Sequence, residues 1–299
     1  MSNGAAAPSS LFCFGFGYCA QALAAPLGHD GWRIAGTTRD GGSIAGFKEP
    51  GIEVFPFDRA HPLEEAAGLL SGFSHLLVSI APDAEGDPVL SCHREEISHC
   101  VRNGTLRWIG YLSTIGVYGD HQGAWVDEAT PTAPTSERSR YRVAAEEAWL
   151  RLAEETGAVV NIFRLAGIYG PGRNQVAAVR AGRAHRIHKP DQVFSRVHVD
   201  DIAGVLRASM ARSRPGPIYN VCDDEAAPPD EVVAFAAKLA GVASPPLVQF
   251  TEAEMSPMAR TFYADNKRVS NRLMKEDLGY KLKYPTYREG LRALAGPEG

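Results

Sequence analysis

Through the first 165 residues, short apolar runs alternate with helix-length stretches. The runs are Leu11–Phe14, Trp32–Gly36, Ile52–Phe57, His75–Ile80, Leu106–Leu112 and Val159–Arg164. Between them lie Ala20–Leu27, Leu63–Leu70, Val89–Arg102 and Ser136–Thr156, all long enough for helices. Strands that read as continuous apolar runs are buried on both faces, and their alternation with helices predicts an α/β fold with a doubly wound parallel sheet. After Gly170 the texture changes. Arginines and histidines crowd residues 173–198, prolines gather at 215–229 and 245–246, and helices are expected at Asp230–Leu239 and Tyr287–Leu294. This predicts a sheet domain over residues 11–172, to which 199–222 return. Residues 173–198 and 223–299 then form a smaller mixed C-terminal domain over the carboxyl edge of the sheet, where such sheets bind their ligands.

Composition narrows the class. The chain has 299 residues, 44% hydrophobic and 22% charged, with its 30 Gly and 20 Pro spread along it, so neither a collagen repeat nor a low-complexity chain fits. A net charge of −4 argues against nucleic acid as the main partner. Residues 1–10 carry no basic residue and no apolar core of a signal peptide, and no apolar run is long enough for a membrane span. Five cysteines (Cys13, Cys19, Cys92, Cys100, Cys222), odd in number and without a CxxC pair, suit a reducing cytoplasm. Cys92-His93 and His99-Cys100 return to one helix face but lie about 10 Å apart along its axis, too far to grip one ion, so no metal site is expected.

The loop Gly15-Phe16-Gly17-Tyr18-Cys19-Ala20 follows the first run and opens the first helix, which is the GxGxxA pattern in its proper context. Gly15 permits the tight turn, Gly17 lets the backbone approach a pyrophosphate at the positive helix end, and Ala20 allows close helix–strand packing. The fold is therefore read as Rossmann-like. The second run ends Gly36-Thr37-Thr38-Arg39, with no carboxylate at its tip to take a ribose diol. Thr38 and Arg39 suit a 2′-phosphate, so NADP is expected over NAD; the competing reading makes Arg39 a solvated charge and gives the work to Asp40.

Further strings resemble the extended short-chain dehydrogenase/reductases, the NAD-dependent epimerase/dehydratase group. They are Ser113-Thr114-Ile115-Gly116-Val117-Tyr118-Gly119, Trp125-Val126-Asp127-Glu128, Arg164-Leu165-Ala166-Gly167-Ile168-Tyr169-Gly170-Pro171-Gly172, His198-Val199-Asp200-Asp201-Ile202, Tyr219-Asn220-Val221 with Asp223-Asp224, and Leu278-Gly279-Tyr280. They occur in family order and, with the glycine loop, span about residues 11–295. The resemblance implies a nucleotide domain, a substrate domain and a reaction at the C–OH or C=O of a small molecule, often a nucleotide-linked sugar. It places Thr114 and Tyr141 in the catalytic positions and Asp58 on the adenine side. Ser79, Ile80 and Ala81 become the wall near the ribose, and Ala166, Gly167 and Ile168 line the nicotinamide. It also implies a homodimer through helices 89–102 and 136–156.

One departure matters. In that family the tyrosine is followed four residues later by a lysine, which lowers the phenol pKa and binds the nicotinamide ribose. Here Tyr141 is followed at that spacing by Ala145, and none of the seven lysines (Lys48, Lys189, Lys238, Lys267, Lys275, Lys281, Lys283) lies between 49 and 188. Helical side chains lean toward the amino end, so Tyr141 is expected to meet Arg138 rather than Arg142. Two readings follow: an NADP-dependent enzyme working through Tyr141 and Thr114, or a nucleotide-holding or sensing module that has lost hydride chemistry.

On the substrate side, Arg173, Arg180, Arg183, Arg186 and Arg196 concentrate positive charge, which suits an anionic small molecule. Arg173, Arg196 and Tyr118 are the candidate substrate contacts. His198 reads as structural, because it opens a helix beside Asp200 and Asp201. His121 is a secondary acid/base candidate, and Tyr169 and Tyr263 are candidate pocket walls.

Overall fold

The structure, a computed structural model, describes residues 9–39, 51–212, 216 and 218–296. Asp40, Lys48 and residues 1–8, on which parts of the sequence reading rest, lie outside the described residues. In chain order the first elements are β1 (Ser10–Phe14), α1 (Tyr18–His29), β2 (Arg33–Thr38), β3 (Glu53–Pro56), α2 (Ala66–Leu70), β4 (His75–Val78), α3 (Pro88–Arg102), β5 (Trp108–Thr114), β6 (Trp125–Val126) and α4 (Glu137–Thr156). Then come β7 (Val160–Leu165), β8 (Gly167–Tyr169), α5 (Gln175–Arg180), β9 (Arg186–His188), β10 (Arg196–His198), α6 (Val199–Met210) and β11 (Ile218–Val221). The chain ends with α7 (Pro229–Ala240), β12 (Leu247–Gln249), α8 (Pro257–Ala264), β13 (Arg268–Val269), α9 (Arg272–Leu278) and α10 (Tyr287–Leu294).

Seven strands form one sheet in the order β11-β7-β5-β4-β1-β2-β3. The pairings of β1 with β2 and β4, of β2 with β3 and of β4 with β5 are parallel, as the alternation of runs and helices predicts. The six expected runs each contain a strand. The seventh, β11, was not expected as one, because its four residues are too short to show a period.

The chain divides into two compact units. Unit 1 comprises residues 1–113, 141–163 and 206–218, and unit 2 comprises 114–140, 164–205 and 219–299. This division differs from the expected boundaries, which gave 114–140, 164–172, 199–205 and 219–222 to the sheet domain. Long-range bonds explain the difference. Lys267 Nζ donates to Gly119 O at 2.6 Å, the Asn220 amide donates to Glu128 Oε1 at 2.7 Å, β6 pairs with β13, and β8 pairs with β10. Asp201 takes the Lys283 and Tyr284 amides at 2.6 and 3.0 Å and the Tyr280 hydroxyl at 3.0 Å. None of these pairs is legible from local pattern.

Unit 1 is built on a core of strand and helix side chains that includes Phe12, Phe14, Phe57, Phe73, Tyr111 and Trp149. Phe14 meets Phe12 and Phe57 edge-on, with centroids 5.1 Å apart in each case, the arrangement that aromatic quadrupoles favour. Asp87 caps α3 by accepting the Val89 and Leu90 amides at 3.0 Å, and Pro88 opens the helix where no donor is needed. In unit 2, Tyr169, Val232, Ala236, Tyr287 and Leu291 pack a second core, and α10 is closed by a capping box between Thr286 and Glu289. No helix of the described residues is long and apolar enough to cross a membrane.

Candidate active site

The glycine loop hangs from the carboxyl end of β1, and three neighbours fix it. The Gly15 amide donates to Thr37 Oγ1 at 2.9 Å, the Phe16 amide donates to Thr37 O at 2.7 Å, and Ser79 Oγ donates to Gly15 O at 2.6 Å. Gly15 has φ +87°, and a Cβ there would lie 2.7 Å from Ser79 Oγ and 3.0 Å from Ile80 Cγ1, so only glycine fits. Gly17 differs. A Cβ on it would meet nothing within 4 Å, so its bareness leaves open space in front of α1 rather than relieving a clash. Gly17 is also the N-cap of α1, without a side-chain cap bond and with no acid in the first turn, so the positive end of the helix faces that space.

Thr38 adds an independent sign of a ligand. Its Oγ1 is buried and has no hydrogen-bond partner among the described residues, at the tip of β2, while Arg39 beside it is exposed. A buried hydroxyl without a partner is costly unless something arrives to use it. Loop, open helix end and orphaned hydroxyl together fit a dinucleotide whose phosphates rest on α1 and whose adenosine ribose lies at β2. Bound there, the nicotinamide ring would supply hydride acceptance and donation. Ser79 and Ile80 lie against the loop at Gly15, Ala81 is exposed, and Tyr18 and Cys19 form the first turn of α1 with Cys19 buried. Asp58 is half-buried and holds its own turn, accepting the Ala60 and His61 amides at 2.8 Å and meeting His61 Nδ1 at 2.9 Å. Burial opposes its ionisation, but the His61 and Ala60 hydrogen bonds outweigh it and hold the carboxyl below its usual range.

The α4 helix departs from expectation. Its buried residues are Ala145, Glu146, Trp149 and Leu152. At ~100° per residue, Arg142 lies about 30° from the centre of that stripe and Tyr141 about 70° away. Tyr141 is half-buried, and Ala145 is 1% exposed within the hydrophobic core. The place of the family's lysine is therefore closed by packing. Arg138 is exposed, and Arg142 is the arginine that turns in, donating Nη1 to Leu112 O at 2.7 Å and to Tyr111 Oη at 3.1 Å. One turn on, Ser113 Oγ donates to the buried Glu146 at 2.5 Å. Sequence reasoning missed both tethers. The wrong helix face was assumed, and the apolar positions Ala145, Trp149 and Leu152 were the signal that marks the right one.

In unit 2, Thr114 ends β5 and caps a short 3₁₀ turn, Ile115–Tyr118, by accepting the Gly116 amide at 3.1 Å. Tyr118, expected against substrate, is 0% exposed, and its hydroxyl donates to Asn220 Oδ1 at 2.7 Å while Arg164 Nη1 donates to it at 3.0 Å. That expectation is corrected: the ring is packed beneath the Arg164 guanidinium at 4.9 Å and its hydroxyl is fully engaged. Ala166 is buried, Gly167 exposed and Ile168 half-buried along β8. Arg173 is exposed, whereas Arg196 is half-buried and donates Nη1 to Phe194 O at 2.8 Å and to Ala227 O at 3.2 Å. Beside it Asp223, pushed up to about 8 by burial, keeps Oδ2 unpaired. His198 is buried, accepts the Asp200 amide at 3.1 Å, and is driven down to about 4 by burial, with Asp200 opposing, so it stays neutral and structural. His121 lies in the loop after Tyr118, its Nε2 3.1 Å from Tyr118 O.

A cleft of about 340 Å³ opens in unit 1 at the opposite edge of the sheet, lined by Trp32, His75, Trp108, Asp30 and Arg207 among others. Its polar groups answer one another: Arg207 pairs with Asp30, His75 with Ser74, and Trp108 with Ser209. Paired groups set this cleft apart from the glycine loop, beside which Thr38 Oγ1 has no partner among the described residues.

Residues 95–222, which hold Thr114 and Tyr141 but not the glycine loop, match the model of the NAD dependent epimerase/dehydratase family. Over those residues, fewer than half of the chain, the sequence is similar to that family. A functionally unknown conserved protein from Silicibacter pomeroyi is 50% identical, with a TM-score of 0.86, over 96% of this chain and 98% of that one. Protein YeeZ of Escherichia coli K12 is 27% identical over 91% of this chain and 94% of its own length. The NAD complex of UDP-glucuronic acid 4-epimerase from Bacillus cereus, 15% identical, shares the fold with a TM-score of 0.73 over 95% of this chain and 94% of that one. The likeness to that family rests on strings in the middle of the chain, while the glycine loop in unit 1 is a separate observation.

Proposed function

We propose that this chain is an NAD(P)-dependent enzyme of the epimerase/dehydratase type that prefers NADP. It acts on a hydroxyl or carbonyl of a small anionic molecule such as a nucleotide-linked sugar. The observation that carries the reading is the cradle itself: a glycine loop clamped by Thr37 and Ser79, an uncapped helix start, and the orphaned Thr38 hydroxyl beside Arg39. Guanidinium and hydroxyl donors match a 2′-phosphate, and no carboxylate in Thr37-Thr38-Arg39 repels it. The resemblance assigns Thr114 and Tyr141 to the reacting oxygen, and Arg173 and Arg196 to the anionic part of the substrate. The UDP-sugar named for the Bacillus cereus relative is the class to screen first. The test is a fluorescence titration with NADPH and NADH, followed by single-turnover absorbance at the nicotinamide band with UDP-sugars and ketones. Tighter NADPH binding and a substrate-dependent change abolished by Tyr141→Phe are expected; tighter NADH binding rejects the NADP preference.

The packing of Ala145 into the core favours a second reading, a nucleotide-holding module without hydride transfer, because a free phenol near pKa ~10 is a poor base at neutral pH. Tight NADPH binding with no turnover across that panel selects it.

A further inference from the structure

In unit 1, β1, β4 and β5 run in register, so that Phe14 pairs with Val78 and Val78 with Tyr111. Tyr111 and Leu112 are therefore level with the start of the glycine loop, two strand spacings or roughly 10 Å away along the carboxyl edge. The Arg142 guanidinium sits at that level. It is half-buried, its Nη1 gives to two neutral acceptors, Leu112 O and Tyr111 Oη, and its Cζ lies 5.5 Å from the Tyr111 ring centroid. Among the described residues no carboxylate forms an ion pair with it. Asp87, which feels the Arg142 charge, spends Oδ1 on capping α3 and is itself pushed up by burial. A guanidinium carries N–H donors on three nitrogens, and among the described residues only Nη1 has a hydrogen-bond partner, which leaves Nε and Nη2. A half-buried cation that forms no ion pair with a carboxylate among the described residues, at the edge where parallel sheets hold ligands, gains from an arriving acceptor.

We propose that Arg142 is a cofactor-binding residue, donating Nε and Nη2 to oxygens of the nicotinamide half of the bound dinucleotide, so that α4 delivers its cation one position after Tyr141 rather than four. The inference rests on the dinucleotide reading of the glycine loop. Its test needs no substrate. Wild type, Arg142→Met and Arg142→Lys are titrated with NADPH, and by calorimetry with 2′,5′-ADP and ADP, which lack the nicotinamide half; thermal melts accompany each. Arg142→Met is expected to weaken NADPH by about ten- to a hundredfold, the range of hydrogen bonds made by a charged donor, and to leave the adenosine-half ligands unchanged. Arg142→Lys, which keeps the charge but loses the fork, is expected to recover part of the NADPH affinity and to fold even where the methionine variant does not. Unchanged NADPH affinity in both variants, or a parallel loss for NADPH and the adenosine-half ligands, overturns the role of Arg142 while leaving the dinucleotide reading standing. Wild-type protein that binds none of these nucleotides overturns both.

Discussion

Unit 1 carries β1, β4 and β5 to two edges whose polar groups are treated in opposite ways. At the strand starts they satisfy one another. The Ser10 amide donates to Ser74 Oγ at 3.1 Å and the Ser74 amide to Ser10 Oγ at 3.0 Å, His75 Nδ1 meets Ser74 Oγ at 2.9 Å, and Trp108 Nε1 donates to Ser209 Oγ at 3.0 Å. At the strand ends they do not: Thr38 Oγ1 is orphaned, α1 starts without a side-chain cap, and Arg142 has no carboxylate partner among the described residues. An edge whose polar groups are closed on themselves contributes to stability, and an edge that leaves them open is prepared for a ligand. The two edges should therefore answer differently to substitution.

The largest effect is expected from Gly15→Ala. Its φ of +87° and the 2.7 Å approach to Ser79 Oγ force the loop to move, so NADPH binding should fall more than about a hundredfold and stability by about 1–3 kcal/mol. Gly17→Ala supplies the contrast. Its Cβ meets nothing within 4 Å, so the urea midpoint should stay while NADPH binding drops. Equal destabilisation by both would mean that the loop is a structural turn with no room kept for phosphate.

The closed edge should show itself in pH dependence. Burial drives His75 down to about 4 from an unperturbed 6.5, so the unfolded chain binds the extra proton between those values. Stability from this group is complete above pH 6.5 and is lost as pH falls toward 4, by up to about 3 kcal/mol. His198 in unit 2 has the same sign, and Asp223, raised to about 8, has the opposite one, losing its contribution as pH rises through that value. The decisive measurement is thus the difference in slope between wild type and His75→Phe, with nucleotide affinity unchanged; a matching slope in the variant breaks the assignment. Smaller, and on the open edge, Ser113→Ala leaves buried Glu146 without its 2.5 Å donor and should cost about 2 kcal/mol in urea unfolding.

How far these edges could be read beforehand follows from sequence distance. The strands, the glycine loop and Thr38-Arg39 were legible because their signals are local: apolar runs, two glycines before a helix, an arginine where an acid usually stands. The Ser10–Ser74 exchange spans 64 residues and the Trp108–Ser209 bond spans 101, so no window along the chain contains either. Tyr118 was misplaced for a related reason. Its string is local, but the partners that bury it, Arg164 and Asn220, are 46 and 102 residues away. On α4 the failure lay elsewhere. Spacing from Tyr141 led to Ala145, while the apolar stripe, equally visible in the chain, put Arg142 on the inner face.

Arg39 gives the finest discrimination between the edges. It is exposed, so its contribution to binding is electrostatic and screened, and it has no part in the closed network at the strand starts. Arg39→Ser should leave the unfolding midpoint and NADH affinity unchanged and weaken NADPH by about tenfold, or ~1.4 kcal/mol. The same variant read at rising salt supplies the sign of the mechanism. If Arg39 pairs with a 2′-phosphate, wild-type NADPH affinity falls with salt more steeply than that of the variant, and the two converge as the screening length shrinks below the pair distance. The buried Thr38 hydroxyl is not screened in this way, so Thr38→Val should lower NADPH affinity by an amount independent of salt. Parallel salt curves for wild type and Arg39→Ser would place the arginine among solvated surface charges and leave the open edge defined by Thr38 and the glycine loop alone.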